Sequence, residues 1–281
     1  MAAEHDPHNA ERHKQWYDDD LTEVNEPMRR LLETYSKVEP NKVVEHVNDL
    51  RARGFAANPY PCIGHYRFLT LTLPTHPLYP HILSRLISSP SALFLDLGCC
   101  FGQDLRQLVA DGVPSSQLIG LDIESYLIKL GYDFFLDRAT LRSRFLVADI
   151  FKGATQGAPW TELEELKADV LHCSAFFHLF PLPDQIRSAK NIAKLVRMGG
   201  VIVGRQSGST KPSEVPAIKP GSTSFRHDVD TFRRLWDEVG EATGTIWTVD
   251  GTLDHVGMIG GKNTVEDENS RRMLFTVTRV G

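Results

Sequence analysis

The alternation of apolar and polar positions changes character along the chain. Residues 1–24 are mostly polar, with His5, His8, His13 and the acidic run Asp18-Asp19-Asp20, and read as a solvated, frayed opening. Helical spacing follows. Met28, Leu31, Leu32 and Tyr35 fall at i, i+3, i+4 and i+7, and Val43, Val47 and Leu50 form a second stripe closed by Gly54. Pro59, Pro61, Pro74, Pro77 and Pro80 bracket a mixed apolar stretch, so residues 25–90 predict a helical cap rather than a sheet. From residue 91 the texture differs. Short apolar runs at 93–95, 118–121, 145–148, 170–171 and 201–203 alternate with helical stripes carried by Leu105, Leu108 and Val109, by Leu127, Leu130 and Phe134, and by Ile186, Ala189 and Ala193. Strands apolar on both sides, alternating with helices, predict a mostly parallel sheet covered on both faces. A last helix follows Asp228 and ends at Gly240, and two late strands at 245–249 and 273–280 close the sheet. The second of these alternates as an antiparallel edge strand would.

Composition narrows the possibilities. A chain of 281 residues that is 41% hydrophobic buries a core without staples and is not dominated by disorder. Its net charge of −5 offers no basic surplus for a phosphate backbone, which argues against nucleic acid as a partner. No run approaches the ~20 apolar residues of a membrane span. Residues 1–14 resemble neither a secretory signal nor a basic transit peptide. Cys62, Cys99, Cys100 and Cys173 lie in apolar surroundings without metal-like spacing. They read as reduced thiols in a cytoplasmic protein with no metal site.

Ligands of open parallel sheets bind beyond the carboxyl ends of the strands, so the residues after each run are the informative ones. The first run leads into Asp96-Leu97-Gly98-Cys99-Cys100-Phe101-Gly102, a glycine turn at which a ligand can approach the backbone. Counted from Gly98, a dinucleotide fingerprint would need glycine where Cys100 and Gln103 stand, so that reading fails. The second run ends at Asp122, followed by Ile123. An acid there is placed to accept from both ribose hydroxyls, or else to cap the next helix, a task Ser125 can also take. The third run ends Ala148-Asp149-Ile150-Phe151, where a lone Asp is also a common turn residue. The fourth continues to His178, either a base or a satisfied core histidine. Arg205 and Gln206 follow the fifth and face an acceptor pocket in this reading.

The stretch from Asp96 to Gly102 resembles the acidic-x-Gly-x-Gly-x-Gly motif of class I S-adenosylmethionine-dependent methyltransferases, with Cys100 in place of the middle glycine. Further stretches are similar to the fungal methyltransferases of meroterpenoid gene clusters: Gln103-Asp104-Leu105-Arg106, Leu130-Gly131-Tyr132-Asp133, Asp137-Arg138, Ala148-Asp149-Ile150-Phe151 and the upstream Tyr60-Pro61-Cys62-Ile63-Gly64-His65-Tyr66-Arg67-Phe68-Leu69. The resemblance covers roughly residues 24–281. It implies a Rossmann-like α/β domain over residues 91–281, with a seven-stranded, mostly parallel sheet under the 25–90 cap. It implies S-adenosylmethionine as cofactor and S-adenosylhomocysteine as product. Asp96, Gly98, Gly102, Asp122, Ile123, Asp149 and Ile150 would hold the cofactor, Asp122 at the ribose and Asp149 with the Ile150 N–H at the adenine. The implied activity is O-methylation of an apolar small molecule, often at a carboxyl group. Arg67 or Arg205 would then hold the acceptor and His178 would orient it. Arg67 simply solvated on an amphipathic helix is the plainer alternative. The absence of an Asn/Asp-Pro-Pro-Tyr/Phe tetrapeptide after the fourth run points away from nucleic-acid bases. A protein methyltransferase and a non-catalytic cofactor-binding subunit are the rival functions, and a homodimer is compatible with all three.

Overall fold

In the computed structural model, residues 15–217, 221–254 and 268–281 are described. His5, His8 and His13 of the opening lie outside them. The cap comprises helices α1 (Met28–Thr34), α2 (Val43–Ala57) and α3 (Pro61–Gly64), then single 3-10 turns at Arg67–Leu69 and Leu73–Thr75. Helix α4 (Tyr79–Ser88) leads into the sheet. Pro61 is tolerated because it occupies the first turn of α3, where its missing N–H has no helical partner to lose.

Strands β1 (Phe94–Leu97), β2 (Leu118–Asp122), β3 (Arg144–Val147), β4 (Ala168–His172) and β5 (Val196–Ser209) alternate with helices α5 (Gln103–Ala110), α6 (Ser125–Phe135), α7 (Trp160–Leu166) and α8 (Leu182–Lys194). A hairpin of β6 (Ser213–Pro216) and β7 (Thr223–Arg226) follows, then α9 (Val229–Thr243), β8 (Trp247–Asp254) and β9 (Ser270–Arg279). The main sheet has seven strands in the order β3-β2-β1-β4-β5-β9-β8. β1 to β5 are parallel, and β9 is antiparallel to both its neighbours. This is the expected α/β architecture with its N-terminal helical region. Two details differ from the sequence reading. β9 lies inside the sheet, and β8 is the edge. Helix α9 runs through Gly240 to a left-handed cap at Gly244 (φ +65°). Gly240 is needed for close packing instead, since a Cβ there would lie 2.5 Å from the Thr245 carbonyl oxygen. The β6–β7 hairpin was not anticipated.

The parallel register brings the strand ends level: Asp96 is opposite His172, Asp122 opposite Val147, and His172 opposite Val203. The strand order reverses direction between β1 and β4, and a crevice opens at such a switch point. One core cluster, around Trp236, Phe275 and Phe177, fills one face of the sheet. A second joins α4 and α5 to the opposite face. A third fuses the cap to α6, with Met28, Val47, Phe55 and Phe68 packed among Phe101, Leu130 and Phe134.

One buried ion pair locks this third contact. Arg106, fully buried, donates from Nε and Nη2 to the two oxygens of Asp137 at 2.9 and 3.1 Å, and from Nη1 to the Phe101 carbonyl at 3.0 Å. The Tyr35 hydroxyl of the cap donates to the same carboxylate at 2.8 Å. Removing one partner of a buried pair leaves an uncompensated charge. Asp137→Ala is therefore expected to destabilise the protein by about 3–5 kcal/mol. Urea denaturation checks this, and a change below about 1 kcal/mol would show that Arg106 is satisfied without Asp137.

Candidate active site

The glycine turn after β1 has a left-handed residue at every second position: Gly98 at φ +73°, Cys100 at +53° and Gly102 at +70°. The two glycines play different parts in the motif's pattern. A Cβ at Gly102 would lie 2.4 Å from Arg106 Nη1 and 2.9 Å from Phe145, so this glycine makes room for the buried arginine. A Cβ at Gly98 would meet only Phe176 Cδ2, at 3.8 Å, so Gly98 leaves an open approach to its backbone. Cys100 adopts the glycine conformation despite its side chain, at a cost of order 1–2 kcal/mol.

Asp122 organises this turn. One of its oxygens accepts from Cys100 N–H at 2.8 Å and the other from Glu124 N–H at 2.9 Å. Burial pushes its carboxyl up, and the two N–H donors oppose that. It does not cap α6, whose N-cap is Glu124 with no side-chain hydrogen bond, and Ser125 is the first helical residue. Ile123 is 59% exposed beside it. After β3, Asp149 Oδ1 accepts from Phe151 N–H at 2.9 Å, and Gln156 clamps the Asp149 backbone with bonds of 3.0 and 2.9 Å. Ile150 is buried, and its N–H donates to no described group. Asp96 takes a different position from the other acids. It is buried, and its Oδ1 lies 2.8 Å from His172 Nδ1.

His172 centres a network that sequence reading overlooked. Its Nε2 lies 3.0 Å from Thr72 Oγ1, and that hydroxyl donates to Asp104 Oδ2 at 3.0 Å. A hydroxyl has one proton to give, so Thr72 must receive from His172. The ring thus bridges Thr72 and Asp96. Burial alone would lower the imidazole, but Asp96 and then Asp104 outweigh it and hold it above its ordinary value. Arg205 faces this network: burial pulls its guanidinium down, Arg272 adds to that and Asp104 opposes it.

His178 lies on a separate loop after β4, strained at Ala175 (φ +52°) and fastened by Ala175 N–H to the Arg205 carbonyl at 2.7 Å. Its Nδ1 accepts from Ser207 N–H at 3.3 Å and its carbonyl accepts from Arg226 Nη1 at 2.7 Å. Burial, with Arg226 and Arg67 nearby, drives its imidazole down to about 3. The structure thus brings Arg67 and Arg226 to His178, while Arg205 belongs to the His172 side. Next to Arg205, the amide of buried Gln206 has no hydrogen-bond partner among the described residues. Of the other cap residues in this stretch, Tyr66 and Phe68 turn into the cap core, and Tyr60 stays 42% exposed.

Comparison with known proteins decides the family. Residues 16–69 match the meroterpenoid methyltransferase N-terminal domain, and residues 94–200 match a methyltransferase domain. The chain is 40% identical to the O-methyltransferase phiE of a fungal species, covering 89% of this chain and 84% of that one. It is 36% identical to the O-methyltransferase atr3 of Stereocaulon alpinum, over 94% and 76% of the two chains. It is 40% identical to the asnovolin E/chermesin D methyltransferase nvfJ of Aspergillus novofumigatus, over 80% of each. The chain belongs to this fungal methyltransferase family. It is an S-adenosylmethionine-dependent methyltransferase that acts on a small molecule.

The residues of this methyltransferase fit that cofactor. The Gly98 cradle is open, the Ile150 N–H is available to a ring nitrogen, and the Asp122 carboxylate has lone pairs left after its two backbone bonds. Asp122→Asn removes the charge and one of the two backbone bonds, since an amide NH2 cannot accept. Affinity for S-adenosylhomocysteine is expected to fall about ten- to hundredfold by calorimetric titration, and unchanged affinity would remove Asp122 from the ribose site. Cys100→Gly relieves the left-handed strain but adds chain entropy, so stability is expected to change by less than about 1 kcal/mol with binding retained. A severe loss of binding would show that the Cys100 side chain contributes directly.

Proposed function

We propose that this methyltransferase transfers its methyl group to a carboxyl oxygen of an apolar small-molecule secondary metabolite. The observation that carries the reading is the electrostatics at His178. With its imidazole at about 3, His178 stays neutral throughout the neutral range and is too weak a base to deprotonate a phenol or an alcohol. Two guanidinium groups flank it. A carboxylate, already ionised with a pKa near 4, needs no base and is attracted by that positive environment. The names of the relatives support the same class, since two are O-methyltransferases and one acts on asnovolin E and chermesin D. No helix among the described residues is long and apolar enough to cross a membrane, and the four cysteines are unpaired, which supports a reducing compartment such as the cytoplasm.

In this reading Asp122 receives the ribose hydroxyls, Asp149 and the Ile150 N–H receive the adenine edge, Ile123 covers the ring, and Gly98 lets the cofactor pass along the backbone. The bound cofactor supplies an electrophilic methyl group on a sulfonium. An ionised carboxylate would accept that methyl group with no proton to be removed, so no residue of the chain would need to act as a base. The protein's task is alignment and exclusion of water. Phe176, stacked edge-to-face against Phe177 and Phe180 at 5.5 and 5.2 Å, walls the approach above Gly98.

Because the His178 imidazole is displaced downward, it does not change charge between pH 6 and 9, and the rate should show no acid limb from it. His178→Asn is expected to lower the single-turnover rate only several-fold, with a shallow pH profile. A steep acid limb in the wild type, with a loss of about 10²–10⁴-fold in His178→Asn, would establish a general base and a hydroxyl acceptor instead.

A further inference from the structure

The β6–β7 hairpin carries a cation that the glycine turn and its acids do not account for. We infer that Arg226, at the end of β7, is the specificity-determining residue of this methyltransferase, receiving the acceptor's carboxylate beside the loop that carries His178. The inference rests on the carboxyl reading above and assigns the group that selects for it.

The position of Arg226 is set before any ligand arrives. Phe225 N–H donates to the Phe180 carbonyl at 3.0 Å, and Gln185 Nε2 donates to the carbonyls of both Phe180 and Phe225 at 2.9 Å. Gln185 is itself held at its Oε1, 3.0 Å from buried His227 Nε2. The hairpin is thereby fastened to the loop that carries His178. From this base Arg226 spends one N–H on the His178 carbonyl, at 2.7 Å. Among the described residues its remaining N–H groups meet no acceptor and no carboxylate forms an ion pair with it. The acid of the hairpin, Glu214, is turned elsewhere and accepts from Leu182 N–H at 3.3 Å. Burial pulls the Arg226 guanidinium down to about 10, with no opposing charge to restore it. A desolvated, preorganised fork without an anion is complementary to a planar carboxylate.

One short loop touches both the glycine turn and this anion site. Phe176 faces Gly98, whereas the His178 carbonyl two residues later faces Arg226. The chemistry also assigns the interaction to the ground state. The carboxylate loses its charge as the ester forms, so an Arg226 contact weakens toward the transition state and favours release of the neutral product. Arg226 therefore acts on acceptor affinity and acid-over-alcohol selection rather than on the rate of the bound complex.

The test uses farnesoic acid and farnesol, which share an apolar skeleton and differ in the anion. Each is titrated by calorimetry into the S-adenosylhomocysteine complex of wild type, Arg226→Gln and Arg226→Lys. The wild type is expected to prefer the acid by about ten- to hundredfold, Arg226→Gln to lose that preference, and Arg226→Lys to keep much of it, with cofactor-product affinity the same in all three. An acid preference that survives in Arg226→Gln overturns the inference and leaves the carboxyl reading standing. A wild type without any acid preference overturns both. Loss of S-adenosylhomocysteine affinity in folded Arg226→Gln also overturns it, placing Arg226 at the cofactor's own carboxylate. Should Arg226→Gln fail to fold, Arg226→Met takes its place in the same titrations, and an acid preference that survives in Arg226→Met overturns the inference.

Discussion

A buried network of Asp96, His172, Thr72 and Asp104 joins the cap of this protein to the end of its sheet. Ions removed from water cost several kcal/mol each, and the cost is offset only where geometry and hydrogen bonds are complete. Here Asp104 accepts from the backbone N–H groups of Thr72 and Leu73 and from the Thr72 hydroxyl, all at 3.0 Å. His172 bridges from Thr72 to Asp96, at the end of β1. The 3-10 turn that follows the cap is therefore placed by the same residues that end two central strands. The Arg106–Asp137–Tyr35 contact repeats the device on the α6 side. These two anchors fasten the N-terminal helices to the end of the sheet and to the residues that follow α6.

The crevice has two electrostatically different halves. Toward β2 and β3 it offers acids and backbone donors, Asp122, Asp149 and the Ile150 N–H, suited to hydroxyls and a neutral heterocycle. Toward β4 and the hairpin it offers neutral His178 between Arg67 and Arg226, suited to an anion. The glycine turn and the 174–180 loop lie between them.

The turn after β1 shows how far one residue can depart from its pattern. Cys100 sits at φ +53° where glycine would be unstrained, yet the backbone follows the glycine path because its N–H is bonded to Asp122. The acid that ends β2 thus also offsets the strain of the turn, which couples the two features that sequence reading treats separately.

By itself the sequence determined the alternation of strands and helices, the helical cap, the glycine turn and the acids that end β2 and β3. These are local: a strand apolar on both sides, a left-handed position and a strand-end carboxylate each leave a signature within a few residues. The place of β9 was not local, because alternation reports which face is buried and not which strands pair on either side. The roles of His172, Gln156, Gln185 and Arg226 were not local either. Each depends on a partner brought close by the fold: His172 on Thr72 and Asp104, Arg226 on the loop of His178 some 48 residues earlier. Asp96 illustrates the divide most directly. Its position in the motif was legible, but only the pairing of β1 with β4 decided that its carboxylate meets His172. Charge, burial and partner are properties of the folded neighbourhood, and a chain read in order carries no record of them.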